Sequence, residues 1–280
     1  MMREIDSKTI TDTVEELILR SEYELDPALV RSVETAYAEE DCPAGRYALE
    51  QLLENYRIAK DERIAICQDT GMCVVFCELG QDAHISGGAF EDAVNEGVRR
   101  AYSVLRKSVV SDPLYRRANT RDNTPAVIHT RIVPGDRLSL TVICKGFGSE
   151  NMSAVKMLPP SAGEQGVVEF IVDTVRRAGA NPCPPIVLGV AIGGTFEQAA
   201  VYAKLMTARP FDEENPDPAY AALEKRLLKE INALGIGAAG FGGKATCLKV
   251  SVCALPTHIA GMPVAVNVCC HASRHAKAVI

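Results

Sequence analysis

Helical spacing of apolar positions dominates the first sixty residues. Asp26-Pro27 supplies an N-cap followed by proline at the first helical position, and Leu29, Val30, Val33 and Tyr37 then fall on one face. A second start at Pro43 leads into Ala48, Leu52, Leu53 and Tyr56 at the same period. From Arg63 the texture changes to short apolar runs, 64–66 (IAI) and 73–76 (CVVF), separated by a Gln-Asp-Thr-Gly turn; their length and β-branched content predict strands. Phe90, Ala93, Val94, Val98, Ala101, Tyr102 and Leu105 return to helical spacing, with Arg106 and Lys107 as a basic last turn.

The runs 125–133 and 137–145 flank Pro134-Gly135-Asp136, a turn signal that predicts a hairpin. Beyond it the pattern predicts a helix at about 163–178, a strand at 186–191, helices over 195–208 and 217–233, and strands over 246–254 and 263–268. The most loop-like stretch, RPFDEENPDP at 209–218, is the one candidate for an internal linker. The sum is an α+β (mixed α/β) fold, with a helical N-terminal region of about 1–62 and an α/β region of about 63–280. No fixed-period repeat or low-complexity tract interrupts it.

Composition narrows the class. A chain of 280 residues that is 47% hydrophobic can bury a substantial core. Its formal charge of −6, with scattered Lys and Arg, argues against a nucleic-acid partner. The N-terminus MMREIDSKTITDTVEEL lacks the apolar core of a signal peptide, so a cytoplasmic location is expected. Two runs without Asp, Glu, Lys or Arg, 178–196 and 253–273, are broken by Pro, Gly, Asn, Thr or His and read as interior walls, not membrane spans.

Three glycine-rich segments invite comparison with phosphate cradles. GFGSEN at 146–151 has Asn151 where a dinucleotide fingerprint needs its third glycine. GFGGKAT at 240–246 has Ala238 where a Walker A loop needs its first glycine, and Ala245 where it needs a hydroxyl. GVAIGGT at 189–195 fits neither pattern. All three read either as tight strand-to-helix turns or as backbone that approaches a carboxylate or a cluster.

Cysteine is the chemical signal. Ten cysteines in a chain without an export signal are expected to be thiols, and most to be small core residues. Cys67, Cys73 and Cys77 lie within eleven residues, yet no C-x-x-C pair is present. On a strand, Cys73 and Cys77 share one face, which reads as packing. Cys67 differs, because it precedes the polar Gln68-Asp69-Thr70. Cys183 sits in NPCPP ahead of an apolar strand, and Cys269-Cys270 end another and lead into HASRHAKA. Three strand ends could thus bring three thiols to one inorganic centre.

CQDTG (67–71), KGFGSEN (145–151), PCPPIVLGVAIGGTFEQA (182–199), GFGGKAT (240–246) and THIAGMPVAVNVCCHASRHA (257–276) together resemble the α subunit of class I fumarases and L-tartrate dehydratases, the iron–sulfur hydro-lyases. The resemblance runs through most of the chain and implies one α-type catalytic domain over 1–280. It implies a [4Fe–4S] cluster on three thiolates, Cys67, Cys183 and Cys270, with the fourth iron open to substrate. Cys270 is the third ligand because Cys269 occupies the family's usual Gln position; the neighbour leaves an alternative, since adjacent strand residues point oppositely. An open iron acts as a Lewis acid toward a substrate hydroxyl and carboxylate.

The same resemblance makes Gln68 a substrate clamp and Asp69 an acid/base, with Arg106, Gly148 and His258 as further substrate contacts and His258 also a catalytic group. Each has a plainer reading: Asp69 a turn cap, Arg106 a basic helix end, His258 a satisfied core histidine. His271, Arg274 and His275 either shape the cluster's surroundings or solvate a helix start. The chain stops soon after the third cysteine motif, whereas single-chain relatives continue, so a separate β subunit and an α2β2 assembly are expected. Fumarate hydration to L-malate is the expected activity and L(+)-tartrate dehydration the alternative. Different classes, a cysteine-nucleophile enzyme using Cys67 or a noncatalytic metal-binding subunit, stay open on the residues alone.

Overall fold

A computed structural model describes residues 3–280. In chain order the elements are β1 (Arg3–Asp6), α1 (Ser7–Tyr23), α2 (Pro27–Glu39), α3 (Pro43–Glu62), β2 (Met72–Gly80), β3 (Ala83–Ser86) and α4 (Phe90–Ala101). Then come β4 (Val127–Val133), β5 (Leu138–Lys145), the single turn α5 (Phe147–Glu150), β6 (Ala154–Leu158) and α6 (Gly163–Ala178). The last are β7 (Ile186–Gly193), α7 (Phe196–Met206), α8 (Pro218–Asn232), β8 (Cys247–Leu255), β9 (Met262–Cys269) and β10 (His275–Val279). The fold is α+β, and it divides into two compact units. One comprises the chain up to Leu25, Ile58–Phe147 and Arg274–Ile280; the other comprises Asp26–Arg57 and Gly148–Ser273.

The first unit is built on a four-stranded sheet in the order β10-β5-β2-β4. Asp6 caps α1 by accepting from Lys8 N–H, and Ile10, Val14, Leu17 and Ile18 form its buried stripe. That stripe packs with Val94, Val98 and Ala101 of α4 and with Cys73, Val75, Cys77, Leu140, Val142 and Cys144 of the sheet. Cys73 and Cys77 therefore share the core face, as strand alternation requires. A short parallel pair, β1 with β3, was not visible in the pattern.

Three sequence expectations fail in this unit, each for a long-range reason. The hairpin across Pro134-Gly135-Asp136 does not form, because β2 lies between β4 and β5, parallel to one and antiparallel to the other. The turn passes over the end of β2: Gly80 N–H donates to Arg137 O, and Asp82 N–H to Gly135 O. A Cβ at Gly80 would stand 2.5 Å from Gly135 O, so the crossing requires glycine. The 64–66 run is not a strand, since Ile66 N–H donates to Glu22 O in the last turn of α1 and satisfies a helix-end carbonyl. Finally, α4 stops at Ala101 with Arg99 and Arg100 in its last turn. Tyr102 leaves the helix with its hydroxyl donating to Thr70 O at 2.7 Å.

The second unit carries the sheet β6-β9-β7-β8, in which β7 runs parallel to β8 and antiparallel to β9. One face, with Ile186, Leu188, Val190, Val264 and Val266, packs on α6 and α8. The other presents Ala191 and Ala265 to Ala199 and Ala203 of α7. A Cβ on Gly189 would lie 2.0 Å from Ala203 O, so the small residues of GVAIGG let α7 approach the sheet. Asp26 and Asp217 cap α2 and α8 by accepting from Ala28 and Ala219 N–H, each ahead of an N1 proline.

The 209–218 stretch is not a boundary between units. It lies inside the second, where Arg209 makes a bidentate pair with Glu224, both contacts at 2.8 Å, and Lys249 Nζ donates to the Phe211 and Glu213 carbonyls. No helix among the described residues is long and apolar enough to cross a membrane. The two charge-free runs instead contain β7 and β9, both interior strands.

Candidate active site

The first unit positions Cys67, Gln68, Asp69 and Arg106. Cys67 to Thr70 form the bend that joins α3 to β2. Cys67 Sγ accepts from Asp69 N–H at 3.4 Å and lies 3.8 Å from Gln68 Oε1. Asp69 does act as a turn cap: Oδ1 accepts from Gly71 N–H at 3.0 Å, while Oδ2 accepts from Phe147 N–H at 2.9 Å. Two backbone bonds therefore fix the carboxylate and leave each oxygen a lone pair for a substrate. The KGFG turn is the one that approaches it.

Arg106 is not a helix end. It lies in the irregular segment after α4, its carbonyl accepts from Thr70 Oγ1 at 2.6 Å, and its exposed guanidinium has no protein partner among the described residues. Thr70 thus fastens the Arg106 backbone to the Gln68-Asp69 bend.

The second unit positions Gly148, Cys183, His258 and Cys270. Cys183 is exposed, has φ +54°, and accepts from His271 N–H at its carbonyl, 3.4 Å. Cys183 and the Cys270-His271 pair are therefore neighbours. Gly148 lies beside the same NPCPP loop, since a Cβ there would stand 3.8 Å from Asn181 O. His258 is no core histidine: it is exposed in the β8–β9 connection, and its Nδ1 accepts from Ala260 N–H at 3.2 Å. In the neutral ring that bond leaves the proton on Nε2 as a donor. Thr257 Oγ1 donates to Gly194 O at 2.9 Å, joining THIAG to GVAIGGT.

Two of the glycine segments do surround carboxylates, but the protein's own. GFGGKAT closes on Glu40, whose carboxylate accepts from Cys42, Lys244 and Ala245 N–H. KGFGSEN supplies Phe147 N–H to Asp69. GVAIGGT and GFGSEN are strand-to-helix turns of the expected kind, the second leading β5 into the single turn α5, whereas GFGGKAT runs into β8. His271 to Arg274 do not open a helix; they lead into β10, and Arg274 is buried against Glu22 at 3.0 Å.

Among the described residues no group of three His, Cys, Asp or Glu side chains stands ready to hold a metal ion. Each of the three motif thiols, taken in its own unit, nonetheless has the exposure and donor chemistry that an iron ligand needs. Cys67 and Cys270 are half-buried and Cys183 is exposed, all at bends or strand ends. Cys67 already accepts an N–H bond of the kind that steadies a thiolate. By contrast, burial pushes Cys73 well above the ordinary thiol range, and takes Cys77 up to about 11 and Cys144 and Cys247 to about 12. Cys269, inside β9 opposite Val187, is buried, whereas Cys270 follows the strand. Of the two neighbours, Cys270 is the more accessible thiol.

The fumarate hydratase (Fumerase) family model matches residues 11–279. The chain belongs to this family. A protein of Methanocaldococcus jannaschii named "Putative L(+)-tartrate dehydratase subunit alpha" is 38% identical over 95% of this chain and 96% of its own length. The L(+)-tartrate dehydratase subunit alpha of Escherichia coli strain K12 is 31% identical over 82% of this chain and 77% of its own. The same figures hold for the protein of that name in Shigella sonnei. This fumarate hydratase family member is accordingly a hydro-lyase.

Sequence reasoning missed three residues of the hydro-lyase that support the motif side chains. Tyr56 read only as a helix-face residue, but its hydroxyl lies 2.8 Å from His271 Nδ1, and burial raises its pKa well above the usual phenol range, with Cys270 adding to the rise. Glu22 gave no local signal, because its partner Arg274 is 252 residues away. Asn123 gave no local signal either, because its carboxamide bonds to Ser108, Val109 and Gly71.

Proposed function

We propose that this chain is the α subunit of a two-subunit [4Fe–4S] hydro-lyase that acts on a four-carbon dicarboxylate, with reversible hydration of fumarate to L-malate as its activity. Cys67, Cys183 and Cys270 would hold the cluster, and residues 1–280 form one α-type catalytic domain. The observation that carries the reading is the separation of thiols: the three motif cysteines stand outside the packed interior, while those of β2 are sealed in it. When bound, the cluster supplies a Lewis-acidic iron with one position open to a substrate hydroxyl and carboxylate.

The remaining chemistry belongs to side chains. Arg106 offers a planar guanidinium for bidentate binding of a carboxylate. The Gln68 carboxamide clamps a substrate oxygen. Asp69, held by two backbone amides, moves a proton to or from the carbon beside the second carboxylate. His258 Nε2–H donates to the substrate, and the side-chain-free Gly148 leaves room along its wall. Hydration adds hydroxyl to one olefinic carbon and hydrogen to the other; dehydration reverses both.

The relatives are named alpha subunits, which supports a separate β partner; the assembly would be α2β2 and its location cytoplasmic. Their names also favour a second reading, L(+)-tartrate dehydration. Anaerobic co-expression with a β-type chain, followed by assays of fumarate hydration and L(+)-tartrate dehydration, decides between them. We expect faster turnover of fumarate; faster turnover of tartrate would move the assignment to the second reading. Full turnover by the α chain alone would overturn the two-subunit proposal.

A further inference from the structure

Asn123 is fully buried in the first unit, and its carboxamide joins two segments that the proposed function uses separately. Oδ1 accepts from Ser108 N–H at 2.7 Å and from Val109 N–H at 3.2 Å, both just after Arg106. Nδ2 donates to Gly71 O at 3.1 Å, at the end of the Gln68-Asp69 bend. Thr70 Oγ1 and the Tyr102 hydroxyl add bonds to Arg106 O and Thr70 O. The irregular segment after α4 meets backbone pairing only at its end, where Val109 O accepts from Thr120 N–H beside the Val110–Asn119 bridge, so these side chains hold residues 106–108. Asn123 stands at φ +63°, a left-handed conformation that asparagine tolerates better than most residues.

We infer that Asn123 is a positioning residue that sets the distance between the Arg106 guanidinium and the Gln68-Asp69 pair, and so governs how tightly a dicarboxylate is gripped at both ends. The inference rests on the substrate roles proposed for Arg106, Gln68 and Asp69. It follows from chemistry: a carboxamide carries an acceptor on one side and a donor on the other, so one side chain satisfies the two N–H groups and the carbonyl at once. Aspartate has the same shape but turns an oxygen toward Gly71 O, so it breaks the tether to the bend while keeping the bonds to Ser108 and Val109.

The test uses the anaerobic α/β holoenzyme, with fumarate and L(+)-tartrate as probes. Asn123→Asp is expected to raise KM on the order of tenfold with kcat within about threefold, the pattern of lost uniform binding. Asn123→Ala should do the same and also speed amide exchange at Ser108 and Val109, which Asn123→Asp should leave slow. The control is Asn232→Ala in the second unit. There Oδ1 accepts from Thr246 and Cys247 N–H, and Nδ2 donates to Cys247 O. It should lower thermal stability and leave KM unchanged.

If Arg106→Gln raises KM while Asn123→Asp leaves it within twofold of wild type, the positioning role is wrong. An unchanged KM in Arg106→Gln would instead remove the substrate role beneath it. Should Asn123→Ala fail to fold, Asn123→Asp and Tyr102→Phe carry the decision, the latter by a smaller rise in KM; loss of stability without any change in KM in both overturns the inference.

Discussion

Cys67 and Cys73 are six residues apart and live in different chemistry. Cys73 stands in β2 opposite Cys144, fully buried against α1 and α4, and desolvation holds it protonated. Cys67 stands where the chain bends, half-buried, with a backbone N–H aimed at its sulfur. The second unit repeats the contrast, with Cys247 sealed in β8 and Cys183 exposed on a loop. A thiol's surroundings, not its proximity to other thiols in sequence, decide whether it can bind a metal: a ligand must be deprotonated, and an apolar interior opposes that.

The widest break in this comparison would come from substitution. Replacing Cys67, Cys183 or Cys270 by Ser should each remove the cluster, measured as loss of about four irons per chain after anaerobic reconstitution. Cys73→Ser and Cys77→Ser should keep their iron. The opposite pattern would restore a local site made of Cys67, Cys73 and Cys77.

A graded form of the same contrast is alkylation of the iron-free chain at pH 8. A thiol pushed up to about 11 or 12 is ionised to roughly one part in a thousand or less at that pH, so Cys77, Cys144 and Cys247 should stay unlabelled while Cys67, Cys183 and Cys270 label. Mass spectrometry of the digest reads the ratio directly.

The smallest effect concerns the interior itself. Burial, opposed mainly by Arg274, raises Glu22 from 4.5 to about 7, beside the same Cys144. Because the folded value exceeds the unfolded one, the folded chain binds the proton more tightly, and the contribution of Glu22 is full below about 4.5 and lost as pH rises through about 7. Denaturant unfolding of the iron-free chain should show that loss, bounded at about 3 kcal/mol, and Glu22→Gln should flatten it. A stability curve that rose over this window would show that the Arg274 pair outweighs desolvation.

Much of the helical framework was legible, because its signals are local. Asp26-Pro27 and Asp217-Pro218 each place a cap and an N1 proline where the helix begins, and α6 follows its apolar spacing from end to end. The strand character of β2, β7, β8 and β9 was equally readable from short β-branched runs. Strand pairing was not: the turn at 134–136 is correct as a turn, yet the strand that fills the gap beside β4 and β5 comes from earlier in the chain. The site divides in the same way. Cys67, Gln68, Asp69 and Cys183 announce themselves by motif, whereas Asn123 and Glu22 become informative only through partners far away.

By itself the sequence determined the fold class and the hydro-lyase family, since apolar spacing and short motifs are written in residues within a turn or two of one another. Tertiary structure decided which cysteines are sealed, where α4 gives way to the Arg106 segment, and that two glycine-rich loops close on Glu40 and Asp69. Those outcomes depend on desolvation and on hydrogen bonds between distant segments, and neither is written in any local stretch of the chain.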